Sequence, residues 1–298
     1  MVFGLHVAGN RKKTIFMEDN VLKQEMRKAV VAAIVSAMAL TAAAFAGQTM
    51  PGDSGAAKQK KMIKVGTFST STVAANAGVE PLKEMGYEVE VIIFDDAVLP
   101  NTALQEGSVD INIFQHTPYL KAFMKDNPGE PLSMVDPLVY YPKYGLYSKK
   151  HQTLDQIPDK ALIGLYNDAS NIDRGLRVLN ACGLIKLTGT RKDMYNVFDI
   201  VENPRHLQFY EMAFGTAVRA LDDVDASMAG ASHILKGGLD PTKALAFEAP
   251  NNVFACGIAV RTANMDSPWL KDVVKAYTSD ASRNAIITGY KGSCVPMF

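Results

Sequence analysis

The sequence predicts an α/β fold with mostly parallel sheets flanked by helices. From Ile63 to Leu120, apolar runs with the two-residue period of strands alternate with stretches of helical spacing, and Gly86 and Gly107 end two of the predicted helices. A βαβαβ order implies parallel neighbours, since such strands need a crossover helix between them. About 250 residues follow the N-terminal segment, which is enough for two lobes that share a crevice or for one large domain.

Residues 1–46 have the features of an export signal. A short basic region, Met26–Lys28, precedes the apolar run Ala29–Leu40. An A-x-A cleavage site ends at Ala46, before Gly47. We expect translation to start at Met26 and cleavage near Ala46/Gly47. An uncleaved membrane anchor is the alternative, because this apolar segment is just long enough to be considered. Its Ala-rich composition favours cleavage, and therefore a periplasmic protein.

Residues 47–61 are small and polar, which is typical of a flexible leader. Without residues 1–46 the chain has 25 Lys/Arg and 28 Asp/Glu, a formal charge of −3, and no basic patch indicates a nucleic-acid partner. The cysteines, Cys182, Cys256 and Cys294, are too few for a disulfide scaffold, and none follows the predicted cleavage site, so no lipobox Cys is expected. No His or Cys spacing suits a metal, and we expect no cofactor.

The predicted elements follow the periodicity of the chain in order. Strands are expected at Ile63–Phe68, Tyr87–Phe94, Asp110–Phe114, Leu132–Tyr141 with a break at Pro137, and Ala161–Leu165. Helices are expected at Val73–Met85, Pro100–Gly107, Tyr119–Lys125, Pro268–Tyr277 and Ser279–Thr288, and one more is opened by the segment Tyr166–Arg174 and runs to about Cys182. The second strand becomes fully apolar, which indicates a position inside a sheet.

The stretch after Asp110 is where a strand passes to a helix, with Thr117 as the predicted N-cap. Loops at the carboxyl ends of strands in α/β sheets border the ligand crevice. We therefore expect Phe114, His116 and Tyr119 to form one wall of a small-molecule pocket. The structural alternative makes the two aromatic residues core and the histidine a hydrogen-bonded residue.

A second set of polar residues opens the helix that ends near Cys182. Helix N-termini present free N–H groups and a positive dipole end, so a carboxylate can bind there, and Arg174 could add a bidentate contact. The alternative is that Ser170 or Asn171 only caps the helix and that Arg174 is a solvated charge.

Two motifs carry a resemblance to a known family. The Phe-Gln-His-x-Pro-Tyr-Leu motif from Phe114 resembles the signature of the NlpA-type methionine-binding lipoproteins, the substrate-binding proteins of methionine ABC importers. The Asn-Asp-x-x-Asn-x-x-Arg motif that ends at Arg174 is similar to the family's Asn-Asp-Pro-Thr-Asn-x-x-Arg. Further matches extend in consistent order from about Ile63 to Tyr277.

The resemblance implies a two-lobed periplasmic binding protein fold, type II-like, with the ligand in the interlobe cleft. Residues 62–143 and 246–298 would form lobe 1, and residues 144–245 lobe 2. It also implies that Arg174 binds the ligand carboxylate and that Asn171 and Tyr144 line the cleft. The segment before Tyr144 is one residue longer than the family pattern, which leaves Tyr141 as an alternative in that place.

The sequence departs from the family pattern at Gly230 and Cys256, where the relatives have Asn residues that contact the backbone atoms of the ligand. A lost hydrogen bond to a buried polar group costs roughly 1–3 kcal/mol, and more for a charged one. Ser227, Ser232 or His233 could replace these contacts, or Gly230 could make room for a larger ligand.

The expected function is capture of methionine or a related amino-acid-like ligand and its delivery to a membrane ABC permease, without catalysis. A dipeptide or a modified amino acid is the alternative ligand. An enzyme on the same scaffold is a further alternative, with Cys182 as its nucleophile candidate, although a buried thiol in a helix is usually inert. A surface protein without a transport role is the last alternative function.

Overall fold

The computed structural model describes residues 61–189, 194–249 and 251–298. These residues belong to one compact unit, Lys58–Phe298. The expected signal peptide and nearly all of the expected leader lie outside the described residues. None of the helices within the described ranges combines the length and the apolar character that crossing a membrane requires.

The strands and helices alternate as the sequence predicts, with short additions. The strands are β1 Met62–Phe68, β2 Glu88–Phe94, β3 Ile111–His116, β4 Leu132–Pro142, β5 Tyr144–Tyr147, β6 Leu162–Tyr166, β7 Lys186–Leu187, β8 Ile200–Glu202, β9 Gln208–Met212, β10 Ala226–Gly230, β11 Ala246–Phe247, β12 Cys256–Arg261 and β13 Cys294–Pro296. The helices are α1 Thr72–Ala77, α2 Val79–Glu84, α3 Leu99–Glu106, α4 Thr117–Asp126, α5 Ala169–Ala181, α6 Ala217–Ala220, α7 Ala231–Lys236, α8 Pro268–Tyr277 and α9 Asp280–Tyr290.

Two sheets divide the described chain into two lobes. The first has the strand order β13-β4-β12-β3-β1-β2 and the second β11-β5-β10-β6-β9, while β7 and β8 form a separate pair. The chain passes from the first sheet to the second at Lys143, between β4 and β5, and returns between β11 and β12. Each sheet has its own buried apolar core. The α/β, two-lobed fold expected from the resemblance is confirmed.

The sheets are mixed rather than mostly parallel. Parallel pairing joins β2, β1 and β3 in lobe 1 and β9, β6 and β10 in lobe 2. By contrast, β5 begins at Tyr144, opposite the last residue of β10, and β12 begins at Cys256, opposite the last residue of β3. Both strands therefore begin at the side of their sheet where the parallel strands have their carboxyl ends. They must run antiparallel to their neighbours for this reason.

The return crossing lies later than the expected boundary at residue 246. Strand β11, Ala246–Phe247, pairs with β5 in the second sheet, so these two residues lie with lobe 2. Two strands also differ from expectation. Strand β2 is an edge strand and half exposed, while β4 continues through Pro137, whose peptide bond with Asp136 is cis.

The predicted helix Val73–Met85 is interrupted at Gly78. Proline lacks the N–H that would bond the carbonyl four residues earlier, so Pro81 leaves the carbonyl of Ala77 without its helical partner. The hydroxyl of Ser282 lies 2.8 Å from this carbonyl oxygen and 2.7 Å from that of Ala276, and its one proton is shared between them. The break is thus compensated by a residue about 200 positions away, which periodicity does not reveal. Gly107, by contrast, ends α3 in the left-handed conformation, as predicted.

Gly78 permits close packing of α8 against this break. A Cβ atom at Gly78 would lie 2.6 Å from the buried ring of Tyr277, whose hydroxyl is held by the carbonyl of Ala75. We expect Gly78→Ala to lower the free energy of unfolding by roughly 1–3 kcal/mol, as overpacking of a core does. Urea unfolding would measure this. Gly189→Ala is the matched control, since a Cβ at Gly189 meets nothing within 4 Å; an equal loss in both variants would contradict the packing argument.

Candidate functional site

The end of β3 and the start of α4 form an aromatic wall. His116, not Thr117, is the N-cap of α4, because its Nδ1 accepts the N–H of Tyr119 at 3.2 Å. The hydroxyl of Tyr119 donates to the carbonyl of Ala97 at 3.0 Å. The rings of Phe114 and Tyr119 pack edge to face, with their centroids 5.9 Å apart. The three residues expected to share a wall therefore do so.

A buried amide network holds this wall from behind. Gln115 donates from Nε2 to Oδ1 of Asn101 at 2.6 Å and to Oδ1 of Asn112 at 2.9 Å, and Asn101 donates back to Gln115 at 2.8 Å. All three side chains are buried. Satisfied buried networks are rigid, because each lost bond would expose an unpaired group to an apolar interior. No local sequence pattern indicates this network, because its members come from both α3 and β3.

The opposite wall begins at the N-terminus of α5. Asp168 is its N-cap, since Oδ1 accepts the N–H of Asn171 at 3.0 Å and Oδ2 accepts from its side chain at 2.8 Å. The alternative in which Ser170 or Asn171 only caps this helix does not hold, because the carboxylate of Asp168 is the cap and accepts from the hydroxyl of Ser170 as well. Asn171 thus points across the cleft, where its Oδ1 lies 3.5 Å from Nε2 of His116.

Arg174 is buried rather than solvated, with 3% of its surface exposed. Its Nη2 donates to Oε2 of Glu248 at 2.6 Å and to the carbonyl of Pro142 at 3.0 Å, and its Nε lies 3.1 Å from both carboxylate oxygens. Burial by itself lowers the pKa of Arg174, but the facing carboxylate of Glu248 raises it above the ordinary value, so the guanidinium stays charged. Nη1 makes no hydrogen bond to any described residue.

Glu248 was not identified from the sequence. It follows β11 on the return crossing, it is almost fully buried, and the hydroxyl of Tyr141 also donates to it. Its position 74 residues after Arg174 gives no local pattern. The one sequence feature that could have indicated Glu248 is its position directly after the apolar pair Ala246–Phe247, close to the predicted lobe boundary. Tyr141 thus supports the ion pair, while Tyr144 places its ring 4.3 Å from the guanidinium carbon.

The two walls enclose one cavity with about 550 Å³ of empty volume, part of it open to solvent. All eight residues expected at the site line it: Phe114, His116, Tyr119, Tyr144, Asn171, Arg174, Gly230 and Cys256. Four residues that the sequence does not predict at the site also line it, together with two of the expected substitutes: Thr70, Ala97, Tyr166 and Phe214, and Ser232 and His233.

The three residues expected to make up for the lack of an amide at Gly230 and Cys256 differ in position. Ser232 and His233 reach the cavity, whereas Ser227 is fully buried in the core, with its hydroxyl near Sδ of Met212. At Gly230, a Cβ atom would lie 3.8 Å from Oγ of Ser232, which is ordinary van der Waals contact. A Cβ atom therefore fits at this position without displacing its neighbours.

An aromatic cluster completes the far side of the cavity. The ring of Phe214 lies 4.7 Å from His233 and 4.8 Å from Tyr166, and the hydroxyl of Tyr166 is 2.7 Å from Nδ1 of His233. Tyr166 ends β6 and Phe214 follows β9 closely, so the rule about the carboxyl ends of strands would have found both.

Both histidines of the cavity are neutral at physiological pH. Burial, assisted by the charge of Arg174, lowers the pKa of His116 to about 3. Burial, assisted by Lys236, lowers the pKa of His233 to about 4. Since Nδ1 of His116 accepts the N–H of Tyr119, the proton of this imidazole is on Nε2.

The cysteines have the chemistry of buried thiols. Burial raises the pKa of Cys256 to about 12, and burial also raises the pKa of Cys182, whose thiol donates to the carbonyl of Leu179. A nucleophilic cysteine needs a lowered pKa, which neither has. Among the described residues, no group of three or more His, Cys, Asp or Glu is arranged to hold a metal ion.

Two lobes that enclose a cavity at the carboxyl ends of their strands define a two-lobed substrate-binding protein. The chain belongs to the NlpA lipoprotein family, whose family model matches residues 63–298. The D-methionine-binding lipoprotein MetQ of Escherichia coli K-12 is 35% identical over 243 residues, which cover 80% of this chain and 89% of that relative.

Solved structures agree with this assignment. A nutrient-binding protein from Burkholderia cenocepacia, described as bound to methionine, is 38% identical and has a TM-score of 0.73, covering 79% of this chain and all of that one. An ABC transporter periplasmic substrate-binding protein from Coxiella burnetii is 33% identical with a TM-score of 0.75, over 79% of this chain and all of that one. The resemblance noted in the sequence is confirmed.

Removing Glu248 would leave the buried charge of Arg174 without its partner. We expect Glu248→Ala to lower the free energy of unfolding by about 3–5 kcal/mol, as the loss of one member of a buried pair does. Glu202→Ala breaks the exposed pair with Lys186 and should cost less than about 1 kcal/mol. Denaturant unfolding compares the two variants; similar losses would show that burial of the pair has no energetic importance.

The neutral histidines predict how stability depends on pH. The unfolded chain binds a proton at each histidine near the ordinary pKa of 6.5, while folded His116 binds one only near 3. Stability from this residue is therefore complete above pH 6.5 and falls as the pH drops towards 3, by up to about 1.4 kcal/mol per pH unit. His116→Asn, which keeps an N-capping acceptor, should reduce the slope of unfolding free energy between pH 6 and 4.

The matched control is His206→Asn, because His206 is exposed. This variant should keep the wild-type slope. If His116→Asn also keeps it, the imidazole of His116 binds a proton equally well in the folded and unfolded states, contrary to its burial.

Proposed function

We propose that this protein is the exported, periplasmic substrate-binding component of an ABC importer. It captures methionine or a related amino-acid-like ligand and delivers it to a membrane permease. The observation that carries the proposal is the cavity in which an aromatic wall from lobe 1 faces a buried guanidinium, that of Arg174, from lobe 2.

The cavity offers separate places for the two ends of such a ligand. Nη1 of Arg174 is the donor for a carboxylate, since Nε and Nη2 are held by Glu248 and Pro142. The rings of Phe114 and Tyr119 receive the side chain, and a thioether packs well against aromatic edges. Binding at residues of both lobes would favour the closed arrangement, because only that arrangement makes all contacts.

The relatives support this ligand class and the transport role. One solved neighbour is described as bound to methionine, another as a periplasmic substrate-binding protein of an ABC transporter, and the curated relatives include D-methionine-binding lipoproteins. We propose no catalytic step, since a transport receptor releases its ligand unchanged.

A dipeptide or a modified amino acid is the second candidate ligand. Gly230 favours it, because the space that a Cβ atom would enter there is free of close contacts. Ala97 is likewise a small residue on the wall. A ligand with a substituent near its backbone atoms would fill this side of the cavity.

Thermal unfolding with and without ligand tests the proposal. A ligand at about 100 times its Kd adds roughly 2.7 kcal/mol to the free energy of unfolding, so L-methionine or a close analogue should raise the melting temperature at sufficient concentration. The double variant Arg174→Met/Glu248→Gln removes both charges of the buried pair together and should lose this response.

Arg177→Met is the matched control. Arg177 lies one turn further along α5, half exposed and paired with Asp173. This variant should respond to ligand as the wild type does. A response that survives in the double variant would rule out Arg174 as the carboxylate site, and no response of the wild type to methionine, dipeptides or modified amino acids would rule out the proposed ligand class.

A further inference from the structure

Phe254 lies on the return crossing, between β11 and β12, where a short turn fixes its place. Oδ1 of Asn251 accepts the N–H of Val253 at 3.0 Å and that of Phe254 at 3.3 Å, and the amide of Asn251 donates to the carbonyl of Ala249 at 3.1 Å. Asn side chains close turns in this way. Phe254 is 4% exposed, so the turn directs its ring into the protein.

The ring of Phe254 contacts a site residue of each lobe. Its centroid lies 4.7 Å from the guanidinium carbon of Arg174, on α5 of lobe 2. The imidazole of His116, at the end of β3 in lobe 1, packs edge to face against it, with the centroids 5.1 Å apart and the planes at 82°. Phe254 is not among the described residues that line the cavity. One side chain behind the cavity therefore touches both of its walls.

The hydrogen bonds of Arg174 constrain one motion of its guanidinium only weakly. Nε and Nη2 are held by Glu248 and by the carbonyl of Pro142. A tilt about the line through these two nitrogens bends their hydrogen bonds without breaking them. The same tilt moves Nη1, the donor for the ligand carboxylate, out of line with the cavity.

Two aromatic rings oppose this tilt. The guanidinium carbon of Arg174 lies 4.3 Å from the ring centroid of Tyr144 and 4.7 Å from that of Phe254. A cation is attracted to the face of a ring at such distances, most strongly where water is excluded, and Arg174 is 3% exposed. Tyr144 lines the cavity and can contact the ligand itself, whereas Phe254 acts only through its neighbours.

Phe254 also shields the ion pair on the side away from the cavity. Together with Glu248 it lines a second, wider groove between α4 and α5, and Arg174 is not among the described residues of that groove. The ring thus separates the guanidinium from the water of this groove. Exclusion of water strengthens the attraction between a guanidinium and a carboxylate, because the effective dielectric constant is lower.

We propose that Phe254 is a positioning residue of the ligand site. Its ring holds the guanidinium of Arg174 with Nη1 directed into the cavity, and its contact with His116 fixes this group relative to the aromatic wall. This inference rests on the proposed function, because it concerns how the same cavity holds the carboxylate of its ligand.

Phe254→Leu tests the inference, because it removes the ring and keeps an apolar side chain. The two ligands are L-methionine and L-methioninol, in which a CH2OH group replaces the carboxylate. The full chain is freed of co-purified small molecules by unfolding and refolding. Titration calorimetry at pH 7 gives the Kd of L-methionine directly and that of L-methioninol from its competition with L-methionine.

The expected effect is specific to the carboxylate. Phe254→Leu should weaken L-methionine about tenfold and L-methioninol less than about twofold, since only the first has a carboxylate for Arg174. The preference for the carboxylate should therefore fall at least about fivefold. If urea unfolding shows that Phe254→Leu does not fold, Phe254→Met, which also lacks a ring, takes its place with the same expected result.

Phe247→Leu is the matched control. Phe247 belongs to the same crossing, but it is 44% exposed, and its ring packs against that of Tyr147, with the centroids 6.2 Å apart. This variant should bind both compounds as the wild type does.

The outcomes separate this inference from the proposed function. A residue that only supports the fold would, when replaced, weaken both ligands alike. Equal weakening, or any smaller fall in the preference than the one expected, overturns the role given to Phe254 and leaves the proposed function intact. If the wild type binds neither compound, the assignment of methionine and this inference both fail.

Discussion

The buried ion pair between Arg174 and Glu248 is the constraint on which the site depends. Three segments meet at it: helix α5 of lobe 2, the end of β4 through the carbonyl of Pro142, and the return crossing through Glu248. A buried guanidinium needs a full set of partners, because an unpaired charge in an apolar interior is costly. The pair therefore fixes the N-terminal part of α5 relative to both crossings of the chain, and with it the cationic wall of the cavity.

The mixed sheets follow from the same arrangement. Both crossing segments lead into strands that start beside the carboxyl ends of the parallel strands. Tyr144 and Cys256 are the first residues of these antiparallel strands, and both therefore lie on the cavity wall. Residues that close the parallel strands, such as His116 and Tyr166, lie on the same edge. The topology therefore directs side chains from distant parts of the chain to one cavity.

Local patterns identified much of the fold and of the expected site. Periodicity and glycine positions gave β1, β3 and most helices, since these elements depend on neighbours within a few residues. The same patterns failed where a distant group decides the outcome. Pro81 interrupts a helix, and the carbonyl that this break frees lies against the hydroxyl of Ser282, about 200 residues away.

The sequence by itself determined the family, the alternation of strands and helices, and eight of the residues that meet at the cavity, because motif and period are local properties. Only the tertiary structure decided which charges are compensated and which donors remain. Glu248 neutralises Arg174 across 74 residues, burial keeps His116 neutral, and the hydroxyl of Tyr144 is enclosed without a hydrogen-bond partner among the described residues. These properties depend on desolvation and on the distance between groups, which are set when the lobes pack together.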